Sequence, residues 1–303
     1  MKPSSKKNSN LIFPYFLLFL QPVFMSTNII VARGGVEYVP PISLAFWRWF
    51  FVFLILLPLF YSEIYKKRKF FKKEFYKLFF LGLMGCGVCG AFPFIAGMST
   101  TMANMGIIYT SSPVFIIILS ILLFGEKIQL NRIIGLLICL IGVLTIIIKG
   151  NINYLINLRF TSGDIWMLGA AVGWALYSIY LLNWKSKFSL MGRFTLIAFF
   201  GFVSLFPFYM IEQIFVFNTN FNLIFLAWVL FAAVSPGIIA FTLYTKVQRY
   251  LGASLTGFTL YLFAVYGAIF GVIIFDEMLM PFHYYGGLLV FAGVYIARKI
   301  NTK

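Results

Sequence analysis

Two stretches of this 303-residue chain, 106–128 (GIIYTSSPVFIIILSILLFGEKI) and 257–279 (GFTLYLFAVYGAIFGVIIFDEML), superimpose without a gap at a spacing of 151 residues. Gly106 meets Gly257, Val114 meets Val265, Ile118 meets Ile269, Phe124 meets Phe275 and Glu126 meets Glu277. The register holds downstream, where Gly135 meets Gly286, Leu137 meets Leu288, Gly142 meets Gly293 and Val143 meets Val294. Apolar identities weigh little in a chain this apolar; glycines and a glutamate at fixed phase weigh more. The pattern implies an internal duplication, with halves at 1–150 and 151–303 that each end in the same helical hairpin.

Of the residues, 62% are hydrophobic and only 11% charged, whereas soluble domains are roughly half apolar and a quarter charged. So few polar side chains do not cover a soluble core of this size, which makes the chain an integral membrane protein surrounded by lipid. The net charge of +16 is of the size seen in nucleic-acid binders. Here, however, the basic residues sit between long apolar runs, where orienting the chain in a bilayer accounts for them. No nucleic-acid partner is expected, and nothing in the sequence sets an oligomeric state.

Cys86 and Cys89 have CxxC spacing, but within CGVCGAF on a lipid-embedded helix they read as small packing residues. Cys139 also lies in an apolar run, and His283 is the single histidine. No zinc cluster, catalytic triad or phosphate loop can be assembled, so neither a metal nor a cofactor is expected. Three lysines near the N-terminus precede an apolar run of span length without a small-residue cleavage site. That run reads as a first membrane helix and not as a removable signal.

About 20 apolar helical residues cross a bilayer. Ten segments meet or approach that length, near 11–32, 41–61, 76–97, 101–124, 130–149, 164–183, 191–211, 222–244, 252–275 and 283–301. With the N-terminus inside, 20 of the 24 Lys and Arg fall in inside segments and only Arg33, Lys149 and Arg159 in outside ones. Arg48 is left within a helix. This bias places both termini in the cytoplasm of a cell (inner or plasma) membrane. Five spans per half is an odd number, so the second copy enters the membrane in the opposite sense. The expected fold is all-α, ten transmembrane helices as two inverted five-helix repeats, with the working site at their interface near mid-membrane.

With these features in place, the chain resembles the drug/metabolite transporter superfamily, EamA type. The resemblance rests on helices ending in Gly125–Glu126 and Asp276–Glu277, and on the glycine-spaced helices that follow (Gly135, Gly142; Gly286, Gly293). It rests also on SGDIWMLGAAVGWALYSIYLLNW at 162–184, similar to the family's start of the second half, and on PPISLAFWRW at 40–49 with Arg48 at its arginine position. The chain departs from the pattern at Gln21-Pro22, where a Trp-Gly pair is common, while Asn28 and Arg33 fit. It departs again at Ala264, where the first repeat keeps Pro113. The resemblance implies a carrier of small metabolites and does not name the solute.

Several side chains are candidates for substrate binding. Arg48 lies about 9–10 Å below the outer end of its helix at 1.5 Å per residue, a costly depth for a charge. It either snorkels outward beside Trp47 and Trp49 or faces a cavity, attracting a carboxylate or holding Gln21 and Asn28. Thr110 and Ser111 belong to a polar patch before Pro113, where hydroxyls can satisfy the carbonyl that proline releases; helix packing explains each hydroxyl equally well. Interrupted helices at matched positions of two halves point to a transport site, and the matching stretch, 260–264, offers Tyr261. On the sixth helix Trp174, Tyr177 and Ser178 share one face. With Tyr244, Tyr261 and Tyr266 they are candidates for an aromatic pocket, although aromatics make up 20% of the chain and cluster by chance.

All eight acids, Glu37, Glu63, Glu74, Glu126, Asp164, Glu212, Asp276 and Glu277, lie at span ends or in loops. That argues against coupling through a mid-membrane carboxylate and against direct pairing with a cation. Glu126 and Glu277 read as helix-end residues, pairing with bases such as Arg132. The sequence therefore points to a secondary transporter of a small-molecule substrate, an amino acid or related solute, working by alternating access; Arg48 favours a carboxylate. Two readings from other classes stand beside it, a lipid-modifying membrane enzyme and a passive channel. Within transport, an aromatic cage for a quaternary amine or other organic cation is the alternative. A lone outer histidine and no intramembrane acid leave an enzyme without an acid–base pair.

Overall fold

A computed structural model describes residues 12–97, 99–100, 102–151, 153, 161–216, 218–275, 278 and 280–298. Asp276, Glu277, Arg159 and the terminal lysines lie outside the described residues. Fourteen helices run through the described residues: α1 (Ile12–Ile30), α2 (Pro41–Lys66), α3 (Arg68–Gly82), α4 (Cys89–Gly97), α5 (Met102–Tyr109), α6 (Ser112–Phe124) and α7 (Leu130–Ile147). The second half follows with α8 (Ser162–Asn183), α9 (Leu190–Phe215), α10 (Leu223–Ala233), α11 (Ala240–Leu251), α12 (Ala253–Thr256), α13 (Thr259–Phe275) and α14 (Pro281–Arg298). Joined end to end, α3 with α4, α5 with α6, α10 with α11 and α12 with α13 make single passages. The result is ten spans, five per half. Among the described residues no strand is present, and seven helical stretches are long and apolar enough to cross a membrane, with Ser112–Phe124 and Thr259–Ile274 as shorter apolar helices.

The helices begin and end where local chemistry dictates. Pro41 opens α2 at a position whose N–H would go unbonded in any case. Thr161 and Asp164 form a capping box at α8, and Ser189 Oγ and Asn222 Oδ1 accept from Gly192 N and Phe225 N at the starts of α9 and α10. Gly125, at φ +62°, closes α6 in a left-handed turn that other side chains resist. One expectation changes. The basic stretch 62–75 is not a loop, because α2 runs to Lys66 and α3 starts at Arg68, with Lys67 alone as the corner. Lys69, Lys72 and Lys73 face outward there, so the charges ride on helix instead of ending it.

The inverted relation of the halves is visible at α7 and α14. A Cβ on Gly135 would stand 2.5 Å from Gly293 O, and one on Gly142 would stand 2.6 Å from Gly286 O. The reverse clashes, from Gly293 to Gly135 O and from Gly286 to Gly142 O, are each 2.6 Å. As numbers rise along α7 they fall along α14, so the helices are antiparallel with backbones touching. Cys139 Sγ donates to Val290 O at 3.3 Å between the two glycine contacts, and these residues are 151 apart. Exchanging repeat-mates turns the Gly135–Gly293 contact into Gly286–Gly142. That exchange is a two-fold rotation about an axis across the helices, and it turns one half upside down.

The other helix pairs obey the same exchange. The second span packs on the seventh, which are mates. The first packs on the eighth and ninth, as the sixth packs on the third and fourth. The halves also share an irregularity: π-helical turns occupy Leu83–Val88 in the third span and Val234–Ile239 in the eighth, again 151 residues apart.

Candidate functional site

Where the second, third, sixth and eighth spans meet, five aromatic rings are almost wholly excluded from the surface. Trp49 lies edge-on to Phe241 with centroids 5.0 Å apart, Phe241 is 5.5 Å from Trp174, and Trp174 is 5.0 Å from Tyr244 and 5.5 Å from Tyr177. The first π turn makes room for this cluster. A Cβ on Gly85 would stand 2.4 Å from the Tyr177 ring, so only glycine lets that ring reach the backbone of the third span. A π turn inserts one residue into a helix and often marks a functional position.

The polar groups of the cluster are arranged in sequence. Ser178 Oγ lies 2.7 Å from Tyr244 Oη, and Gln248 Nε2 donates to Ser178 Oγ at 2.8 Å and to Ser178 O at 2.7 Å. Arg48 does not snorkel to the outer interface. It is 5% exposed, Nη1 donates to Asn28 Oδ1 at 2.9 Å, and the guanidinium carbon stands 4.5 Å from the Trp49 ring centroid. The pull toward a buried amide acceptor and an aromatic face outweighs the pull of the interface, because the helix presents Arg48 to α1 and not to lipid. Trp47 turns instead to Phe50, Tyr209, Phe221 and Phe225.

The remaining candidates separate. Gln21 is buried but reaches past Asn28 to the eighth span, with Nε2 donating to Ala240 O at 3.4 Å. Thr110 and Ser111 stand in a break between α5 and α6, with Pro113 just inside α6; Ser111 Oγ donates to Ile108 O at 2.5 Å, a bond within its own turn and not to the carbonyl that Pro113 frees. The ninth span breaks at Gly257–Phe258, four residues earlier in the repeat register, so these interruptions are not matched. The matched ones are the π turns of the third and eighth spans. Tyr261 does not join the aromatic cluster. It is fully buried among Leu17, Leu18 and Val247 in a second apolar core, because α13 turns that face to α1. Trp174, Tyr177 and Tyr244 do come together.

A cavity of about 310 Å³ opens between the C-terminal ends of α8 and α11 and the N-terminal end of α9. Tyr177 and Gln248 belong both to its wall and to the central cluster. Lys185, Arg193 and Arg249 also line it, and among the described residues no carboxylate does. Arg193 is only 7% exposed; Nη1 donates to Leu181 O at 2.8 Å, and Nε has no partner among the described residues. Sequence reasoning counted Arg193 and Arg249 as orienting charges and missed the cavity. At the corresponding corner of the first half Val31, Leu44 and Ala45 are fully buried. Cys86 packs against Gly201, and Cys89 Sγ donates to Ala170 O at 3.3 Å. Among the described residues no group of three or more His, Cys, Asp or Glu is placed to hold a metal ion.

The EamA-like transporter family matches the chain twice, over residues 12–148 and 161–298. A protein of Archaeoglobus fulgidus named an uncharacterized transporter is 26% identical over 93% of this chain and 96% of its own length. The Bacillus subtilis uncharacterized transporter YetK is 23% identical over 93% of this chain and 86% of its own. A solved crystal structure superimposes with a TM-score of 0.74 at 16% identity, covering 93% of this chain and 95% of that one, which speaks for the fold alone. With both halves matched and the inverted pair of five-helix units seen directly, this chain belongs to the EamA-like transporter family.

Proposed function

We propose that this chain is a secondary transporter that moves a small metabolite, an amino acid or related solute, by alternating access between its halves. The conformation described above is the one open to the cytoplasm, with both termini on that side of the cell membrane. One observation carries this reading: the cavity at the ends of α8, α9 and α11 reaches Tyr177 at the central cluster, while at the matching corner of the other half Val31, Leu44 and Ala45 are fully buried. A pore is open at both ends, and an occluded carrier at neither. Lys185, Lys187, Lys246 and Arg249 at the open end support its cytoplasmic placement. The matched π turns flank the cluster in both halves and give the third and eighth spans a place to bend.

Counterflow in proteoliposomes tests the reading. A carrier loaded with unlabelled solute accumulates labelled solute transiently and saturably; flux that rises without saturation assigns a pore, and turnover of an added lipid assigns an enzyme. An amino-acid mixture with a carboxylate on every member is the first set to load.

A further inference from the structure

We propose that the cytoplasmic cavity is an anion site, in which Arg193 is the fixed recognition group and Lys185 and Arg249 are mobile partners, and that it takes a small soluble carboxylate or phosphate. The inference deepens the transporter reading and rests on it for its place in a transport cycle. It does not rest on it for binding itself.

The charges are the first argument. Three basic side chains line a single cavity without a carboxylate, and none of the three makes an ion pair among the described residues. Arg193 and Arg249 lie within electrostatic reach of one another. Like charges brought together around a recess repel, and more strongly as the surroundings become less polar. An anion between them turns that repulsion into attraction. Glu74 is also within reach of Arg193, but its carboxylate is already engaged, accepting from Ser186 Oγ at 2.6 Å and from Lys187 N at 2.9 Å. The acids at this end hold the turn between α8 and α9 and leave the cavity positive.

The second argument is that Arg193 is built in. Long basic side chains at a membrane surface normally extend to water. Arg193 is 7% exposed and tethered through Nη1 to Leu181 O. A tethered guanidinium offers planar, directional donors that suit carboxylate and phosphate oxygens. Lys185 is exposed at the rim and adapts to the bound group. Tyr177, Trp184 and Phe194 supply the apolar walls, a mixture typical of small-molecule sites. Trp184 in the wall also provides a signal.

The test is equilibrium binding to the purified full-length protein in neutral detergent, read by tryptophan fluorescence and by thermal unfolding. The probes are L-glutamate, succinate and inorganic phosphate, with succinamide and glutaramide as neutral controls. The expected result is saturable binding of at least one anion, no response to the neutral controls, and loss of roughly tenfold or more in affinity in Lys185→Gln/Arg249→Gln, as removal of charge-assisted contacts requires. Arg193→Lys retains part of the affinity and Arg193→Gln abolishes it. The rim pair keeps the test decisive even if Arg193→Gln fails to fold. Equal response to succinate and succinamide, or unchanged anion affinity in the rim variant, overturns the proposal. A lipid headgroup is distinguished in nanodiscs: a response that follows phosphatidylglycerol content and ignores soluble anions assigns the cavity to lipid and overturns the solute assignment. Binding without counterflow of the same anion leaves the site standing and removes the transport reading. Counterflow of neutral solutes only, with no anion bound, does the reverse.

Discussion

Glu63 and Glu212 each close the start of the other's helix. Glu63, near the end of α2, accepts from Ser189 N at 2.6 Å and Ser189 Oγ at 2.5 Å where α9 begins. Glu212, near the end of α9, accepts from Ile42 N at 2.9 Å and from Ser43 N and Oγ at 2.6 Å each, where α2 begins. Each carboxylate takes orphan N–H groups of a helix belonging to the other half and meets the positive end of its dipole.

These caps differ in burial, and their removal should differ accordingly. Glu212 is 5% exposed, so Glu212→Gln is expected to cost about 2 kcal/mol of stability. Glu63→Gln is expected to cost less, since that side chain is partly exposed and its surroundings are solvated. Thermal unfolding in detergent of the two variants side by side decides it; equal losses contradict the burial argument.

Adjacent glycines of α14 should respond oppositely. Gly286→Ala sets a methyl 2.6 Å from Gly142 O, whereas Gly287→Ala meets nothing nearer than Val265 Cγ1 at 3.7 Å. The first is expected to destabilise by about 1–3 kcal/mol. The second is expected to be neutral or stabilising by about 0.5–1 kcal/mol, the helix preference of Ala over Gly. Yield and unfolding temperature read both.

Arg48 and Asn28 should behave as one unit. Arg48→Ala and Asn28→Ala each break the same 2.9 Å bond, so the double variant is expected to lose less stability than the two single losses together, by about 1.5–3 kcal/mol. Arg48→Ala is also expected to lower counterflow roughly tenfold or more at normal expression. Wild-type counterflow in that variant confines Arg48 to positioning α1 against α2.

Sidedness is read by labelling. Leu182 lines the inner cavity, so Leu182→Cys is expected to react with a membrane-impermeant thiol reagent applied from the cytoplasmic face only. Cys86 and Cys139 are fully buried and are expected to stay silent. Labelling from the outer face first would reverse the assigned orientation.

Much of the fold was readable because it depends on averages along the chain. Apolar run length located the spans, and the charge bias with a repeat of odd span count implied the inversion that Gly135 and Gly293 display. Arg48 with Asn28 was one of two readings the sequence left open, and Gln21, named beside Asn28, bonds elsewhere. The place of Arg193 was not readable, since a base at the start of a helix looks the same whether it orients the chain or lines a cavity; only the meeting of α8, α9 and α11 separates the two. Tyr261 was misplaced because an aromatic in an all-apolar helix carries no mark of the face it turns to which neighbour. The π turns left a faint trace, Gly85 and Pro236 sharing one register position, but hydrogen-bond geometry was needed to recognise it.

Backbone contact at Gly135, Gly142, Gly286 and Gly293 brings the main chains of α7 and α14 together, with Cys139, Ile146, Leu289 and Ala297 packed beside it. Bare carbonyls pressed against bare α-carbons neither slide nor separate without losing the fit altogether. If the halves work by the proposed alternating access, the fifth and tenth spans would form the common axle on which the remaining eight swing. A crosslink across that axle should leave turnover intact, where a crosslink between moving spans would stall it.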